Sequence, residues 1–136
     1  MARKLTQLIM QKQGDVAVVS LLNKRMLDES NVRALYEELR FLVEERGHHR
    51  LVIDFGGVEY LTSAVLGKLV SLLKVVKKHG GRLRLCNLHP NVAEIFRLTE
   101  LDRVIGIDRG ISEAVEAVRL GERPRTGGRG WWPWRR

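Results

Sequence analysis

The sequence predicts an α/β domain, because apolar segments with the period of strands alternate with segments that have the period of helices. The 136 residues are a normal length for one domain, and 44% of them are hydrophobic, which is enough for one compact core. The apolar run 50–55 is too continuous for a half-exposed strand and predicts a central one. The predicted order is β-β-α-β-α-β-α-β-α, a mixed, mainly parallel sheet with helices packed on it.

The first half of the chain predicts a hairpin, a long helix and the central strand. Gly14-Asp15 is the hairpin turn, because both residues tolerate a positive φ. Asp28 or Ser30 is expected to cap the helix, and Gly47 to follow its end. The predicted elements are strands 5–13 and 16–22, a helix over about 30–45 and strand 50–55.

The second half predicts two further strands and three helices, and then the pattern stops. Gly80-Gly81 is expected to end the longest of these helices. The sequence thus predicts one domain over 1–120 and a flexible tail over 121–136. The elements are a helix over about 62–78, strand 83–86, a short helix from Pro90, strand 104–107 and a helix striped by Ile111, Ala114, Val115 and Val118.

The net charge of +8 is unevenly distributed. Residues 121–136 hold five arginines and one glutamate, a charge of +4; the other 120 residues hold 19 basic and 15 acidic groups, also +4. The body is only mildly basic, so direct nucleic-acid binding by the folded domain is not expected.

The composition also limits the compartment. One cysteine, Cys86, excludes an internal disulfide, and its strand position predicts a buried side chain. The N-terminus lacks the apolar run of a signal peptide, and no apolar stretch approaches the roughly 20 residues that span a bilayer. The expected location is the cytoplasm.

The sequence offers no catalytic constellation. The histidines lack metal-ligand spacing, and neither a phosphate loop nor a dinucleotide-binding glycine motif is present. We therefore expect no enzyme activity, no cofactor and no metal. The histidines concerned are His48, His49, His79 and His89.

The informative segment runs from the end of the central strand into the second long helix, 54–67. The carboxyl end of a strand that leads into a helix is a favoured functional location in α/β layers. Thr62 and Ser63 fall at the start of that helix. From the pattern alone, the simplest interpretation is that one of them caps the helix.

This segment resembles the STAS domain signature of bacterial anti-sigma factor antagonists. In that family a strand leads through Val-x-Phe/Tyr-Leu/Met to Asp-Ser-Ser/Thr-Gly-Leu-Gly. Residues 58–61, Val-Glu-Tyr-Leu, match the turn, Ser63 matches the serine, and Leu66-Gly67 match the final pair. Leu27-Asp28 and 85–92 resemble other family segments, and the resemblance covers about 5–120. The departures are Thr62 for the acidic residue, Ala64 for Ser/Thr and Val65 for Gly.

The resemblance implies an anti-sigma factor antagonist that binds an anti-sigma factor serine kinase and so regulates sigma-factor-dependent transcription. It implies Ser63 as the phosphorylation site, with Thr62 a weaker candidate. The alternative is a STAS interaction or scaffold module that is not phosphorylated. The oligomeric state stays open. The implied partner surface is Asp28, Tyr60, Leu61, Thr62, Ser63, Ala64 and Val65.

The tail poses a separate question. Tryptophans favour the membrane interface and arginines favour anionic head groups, so peripheral membrane contact is one interpretation. A disordered end without a role and nucleic-acid contact by stacking are the others. The residues concerned are Trp131, Trp132, Trp134, Arg135 and Arg136.

Overall fold

The computed structural model describes residues 5–22 and 25–121. The strands are β1 (Leu8–Gln13), β2 (Val16–Leu21), β3 (Met26–Leu27), β4 (Arg50–Asp54), β5 (Tyr60–Leu61), β6 (Arg82–Cys86) and β7 (Gly106–Asp108). The helices are α1 (Glu29–Glu44), α2 (Ser63–Lys78), α3 (Pro90–Leu98) and α4 (Ile111–Leu120), with a 3₁₀ turn at Leu101–Arg103.

Five strands form the main sheet, in the order β1-β2-β4-β6-β7. β1 is antiparallel to β2, and the other neighbours are parallel. The predicted hairpin at an antiparallel edge and the mainly parallel sheet are both confirmed. β4 is the central strand, as its continuous apolar sequence predicts.

Helices cover both faces of this sheet. Leu51 and Ile53 of β4 face the larger core, which α1, α2 and α3 complete. Val52 points to the other face, where it packs with Cys86 and with apolar residues of α4. Because successive side chains of a strand point to opposite faces, β4 has to be apolar at every position between two helix layers.

The last strand lies later than the sequence pattern predicts. Strand 104–107 was expected, but β7 begins at Gly106. The backbone N–H groups of Val104 and Ile105 both donate to the carbonyl oxygen of Leu101, so this stretch continues the 3₁₀ turn. Val104 is consequently 44% exposed, and only Ile105 of the pair is buried.

A second, two-stranded sheet had no signal in the sequence. β3 pairs in parallel with β5, with Met26 opposite Tyr60 and Leu27 opposite Leu61. The backbone N–H of Thr62 donates to the carbonyl oxygen of Leu27 at 3.0 Å. Since α1 begins two residues after Leu27 and α2 two residues after Leu61, this pairing holds the two helix starts side by side.

The parallel strands give the domain two distinct ends. α1, α2 and α4 start near the carboxyl ends of the strands, which we call the carboxyl edge, and they return to the amino ends, the amino edge. Gly121 ends α4 at the amino edge. A methyl group added to Gly121 would lie 2.8 Å from Cζ of Arg82, the first residue of β6.

Two glycines predict opposite effects of the same substitution. A Cβ at Gly81 would lie 1.9 Å from the carbonyl oxygen of His49, so Gly81→Ala should lower the free energy of unfolding by about 3 kcal/mol. Gly67, inside α2, has no atom within 4 Å of its Cβ position, so Gly67→Ala should raise it by about 0.5–1 kcal/mol. Urea denaturation of the two variants measures both changes, and equal stabilities would contradict this packing.

Candidate functional site

Ser63 lies at the carboxyl edge as the first residue of α2, and its side chain is exposed. It follows directly on the β3–β5 pair, whose hydrogen bond to Thr62 fixes the backbone at this point. The hydroxyl group is therefore presented on a defined backbone, where another protein can reach it.

Thr62 precedes α2 but does not cap it. Its backbone has the extended conformation of a capping residue, yet its side chain makes no capping hydrogen bond. Its Oγ1 atom is buried and has no hydrogen-bond partner. The simple cap expected at this position is thus absent, and the start of α2 keeps N–H groups that no side chain satisfies.

Asp28 caps the adjacent helix, α1. Its carboxylate accepts hydrogen bonds from the backbone N–H and the hydroxyl of Ser30, and Asn31 Oδ1 accepts the N–H of Asp28 at 3.0 Å. These bonds from Ser30 lower the pKa of Asp28 below its usual value. The predicted cap is confirmed, and it places a carboxylate beside the start of α2.

Two large apolar side chains lie exposed at the same edge. Met26 and Tyr60 face each other across the β3–β5 pair and are 49% and 48% exposed. The ion pair between Arg25 and Glu59, 3.3 Å from Nε to Oε1, flanks them. Tyr60 was an expected contact residue; Met26 was not, because its position depends on a strand pairing that periodicity does not reveal.

Not every residue of the expected partner surface is accessible. Leu61 is 9% exposed and Val65 1%, and both belong to the main core. Ala64 is half-buried. Gly67, one helical turn after Ser63, is exposed and has no side chain. The accessible surface, which we call the switch surface, consists of Met26, Asp28, Tyr60, Ser63 and Gly67.

The other reactive side chains that the structure describes show no catalytic arrangement. Cys86 is fully buried, and burial raises the pKa of its thiol to about 12. His49 stacks on His79 with ring centroids 4.7 Å apart, instead of lying free in solvent as a loop histidine would. Across 5–22 and 25–121, no three metal-ligating side chains converge.

None of the helices described is both long and apolar enough to cross a bilayer. The predicted tail, apart from Gly121, lies outside the described residues.

The chain belongs to the STAS domain family, whose model matches residues 7–116. This match spans the sheet, the switch surface and most of α4. The family expected from the signature around Ser63 is confirmed, and so is the fold.

Relatives from bacteria carry regulatory names. A Thermotoga maritima protein described as a candidate anti-sigma factor antagonist is 31% identical over 108 residues, which cover 77% of this chain and 92% of that protein. The anti-sigma-B factor antagonist of Bacillus subtilis is 35% identical over 81 residues, 60% of this chain and 72% of that protein. The crystal structure of an anti-sigma factor antagonist from Mycobacterium paratuberculosis, 26% identical, superposes with a TM-score of 0.73 and covers 82% of this chain and 92% of that one.

The buried hydroxyl of Thr62 leads to a stability prediction. Thr62→Val replaces an oxygen that has no partner by a methyl group of similar size, so the free energy of unfolding should rise by about 1 kcal/mol. Thr62→Ser is the control: it keeps the hydroxyl, loses the methyl group and should destabilise. Thermal and urea denaturation measure both variants, and a destabilised Thr62→Val would mean that the hydroxyl has a partner in solution.

Proposed function

We propose that this protein is a cytoplasmic anti-sigma factor antagonist, controlled by phosphorylation of Ser63. The unphosphorylated domain binds an anti-sigma factor serine kinase through the switch surface and so frees a sigma factor for transcription. Phosphorylation by that kinase ends the complex. The domain itself acts as a binding module and catalyses no reaction.

The names of the relatives support the general role. The choice of phosphorylation site is supported by a difference in accessibility between two adjacent hydroxyl groups. Ser63 is exposed, whereas Thr62 Oγ1 is buried. A kinase has to bring the acceptor oxygen against the γ-phosphate of ATP, which a buried oxygen cannot reach without local unfolding. This difference in accessibility carries the choice of Ser63 over Thr62.

The position of Ser63 predicts that phosphorylation leaves the fold intact. A phosphate adds about −1.5 to −2 charges at pH 7. Backbone N–H groups at a helix start and the positive end of the helix dipole both favour an anion. Because no side chain caps α2, no existing hydrogen bond from a capping side chain has to break.

The new charge acts on binding instead. The switch surface already carries Asp28, a carboxylate that is ionised at neutral pH and accepts two hydrogen bonds from Ser30. A phosphate on Ser63 would place a second negative group close to the Asp28 carboxylate. A partner docked on this surface would then have to accommodate both groups. A loss of about 3 kcal/mol in binding free energy weakens affinity roughly 150-fold, enough to dissociate a complex.

The remaining switch-surface residues provide the affinity that phosphorylation has to overcome. Met26 and Tyr60 supply adjacent apolar area, which is typical of the few residues that dominate a protein interface. Gly67 lets a partner approach the backbone of α2 next to Ser63. A glycine inside a helix costs roughly 1 kcal/mol relative to alanine, and its neighbours do not require it here.

The phosphorylation proposal predicts opposite effects of Ser63→Asp on stability and binding. A negative charge at the start of α2 should raise the free energy of unfolding by about 0.3–1 kcal/mol. The affinity for the cognate kinase should fall at least about tenfold. Ser63→Ala should bind like the wild type and accept no phosphate. Titration calorimetry, with mass spectrometry after incubation with the kinase and ATP, measures these outcomes.

Ser112 provides a matched control. It is exposed in the first turn of α4, which also lacks a side-chain cap but lies on the opposite face of the sheet. Ser112→Asp should stabilise the domain similarly and leave kinase affinity unchanged. A phosphate on another residue would refute the site, and kinase binding without any phosphorylation would select the scaffold function.

The apolar pair gives a second binding prediction. Met26→Ala and Tyr60→Ala should each weaken kinase binding about tenfold, because each removes apolar area from the centre of the switch surface. Both side chains are half exposed, so the stability of the domain should change little. Ile9→Ala is the control, since Ile9 is 50% exposed on the edge strand β1 of the main sheet and does not belong to the β3–β5 pair. Equal affinities of all three variants would show that the partner docks elsewhere.

A further inference from the structure

The amino edge of the sheet carries a cluster of basic side chains that the switch surface does not use. They come from four separate elements: the end of β1, the residue after the cap of α1, the last turn of α2 and the start of β6. All of them are exposed. We call them the basic cluster: Lys12, Arg46, Lys77, Lys78 and Arg82.

Contacts among the intervening histidines bring these elements together. The N–H of Arg82 donates to the carbonyl oxygen of His49 at 2.9 Å, and the ring of His49 stacks on that of His79, directly after Lys78. Burial and the positive charges of Lys12 and Arg46 lower the pKa of the neighbouring His48. These contacts place the basic side chains of four elements at one edge of the domain.

The basic cluster differs from neighbouring cations in its lack of ion pairs within the described part of the chain. Other cations at this edge have acidic partners: Arg50 pairs with Asp15, and Arg119 with Glu116. Among residues 5–22 and 25–121, none of the five cluster members forms an ion pair; Arg82 donates to the carbonyl of Val118, and Arg46 lies over the Phe41 ring.

The favourable interaction of cations with the negative ends of helix dipoles explains only some positions of the basic cluster. Cations in the last turn of a helix are favourable, which accounts for Lys77 and Lys78. It does not account for Lys12 and Arg82, which belong to strands. A patch assembled from strands and helices, with its charges left unpaired, is suited to an extended anionic surface.

The chain beyond Gly121 starts at this same edge, because Gly121 lies against the guanidinium group of Arg82. Residues 122–136 contain five arginines, three tryptophans and one glutamate. Tryptophan is enriched where membranes meet water, and arginine is attracted by anionic head groups.

We propose that the amino edge is a docking surface for an anionic membrane, on which the basic cluster contacts lipid head groups. In this orientation Ser63, at the carboxyl edge, faces away from the bilayer. A membrane-bound molecule thus keeps its switch surface accessible to a protein partner.

Co-sedimentation of the full chain with vesicles tests the proposal. Vesicles of equal parts phosphatidylserine and phosphatidylcholine should bind the protein, and vesicles of phosphatidylcholine alone should not. Lys77→Gln with Lys78→Gln should weaken binding about 25-fold, about fivefold for each lysine near the surface. Lys12→Gln with Arg46→Gln, on different elements, should cause the same loss. Circular dichroism checks that each variant is folded.

A matched control separates position from net charge. Arg33→Gln with Arg109→Gln removes two exposed cations from outside the amino edge and should leave vesicle binding unchanged. If the Arg33→Gln/Arg109→Gln variant loses as much vesicle binding as the Lys77→Gln/Lys78→Gln variant, the surface is not specific. Unchanged vesicle binding by Lys77→Gln with Lys78→Gln would also refute the proposal.

The tail requires its own variant. Replacing Trp131, Trp132 and Trp134 by alanine should weaken binding further while the phosphatidylserine preference remains. The proposal fails if the tryptophan variant abolishes vesicle binding while the basic-cluster variants bind vesicles like the wild type. In that case the folded surface does not contribute to vesicle binding. Tight binding of duplex DNA without vesicle binding would likewise overturn the lipid assignment.

Discussion

The arrangement of the switch surface depends on one short pairing, in which two residues of β3 lie beside two residues of β5. The hydrogen bond from Thr62 N–H to the carbonyl of Leu27 fixes the start of α2 relative to α1. The same pairing sets Met26 beside Tyr60 and brings Asp28 near Ser63. Without it, the two loops that lead into these helices would carry the same residues on independent backbones.

Around this pairing, the domain separates stability from recognition. Leu61 and Val65 lie in sequence between residues of the switch surface, and their side chains are buried in the core. They anchor the loop, while Ser63 and Tyr60 stay exposed. The proposed phosphorylation of Ser63 would add charge to a surface whose neighbouring side chains are packed in the core, so the expected effect on binding is electrostatic and not a change of fold.

The parallel sheet further separates two kinds of surface. Apolar and acidic groups meet at the carboxyl edge, which suits a protein partner whose affinity is tuned by charge. Unpaired cations gather at the amino edge, where attraction is long-ranged and depends on salt. Because α/β connections return each helix to the opposite edge, two loop sets with different chemistry can serve two partners without competing.

The sequence by itself determined the layer architecture, the central strand β4, a helix cap at Asp28 or Ser30 and the family, since each is encoded in a local period or a contiguous motif. It also predicted Ser63 and Tyr60 as site residues, because both lie in that motif. Only the tertiary structure decided that Met26 lies beside Tyr60, which depends on the pairing of segments more than 30 residues apart, and that Thr62 Oγ1 is buried. The basic cluster likewise combines residues from four elements, a proximity that local sequence patterns do not encode.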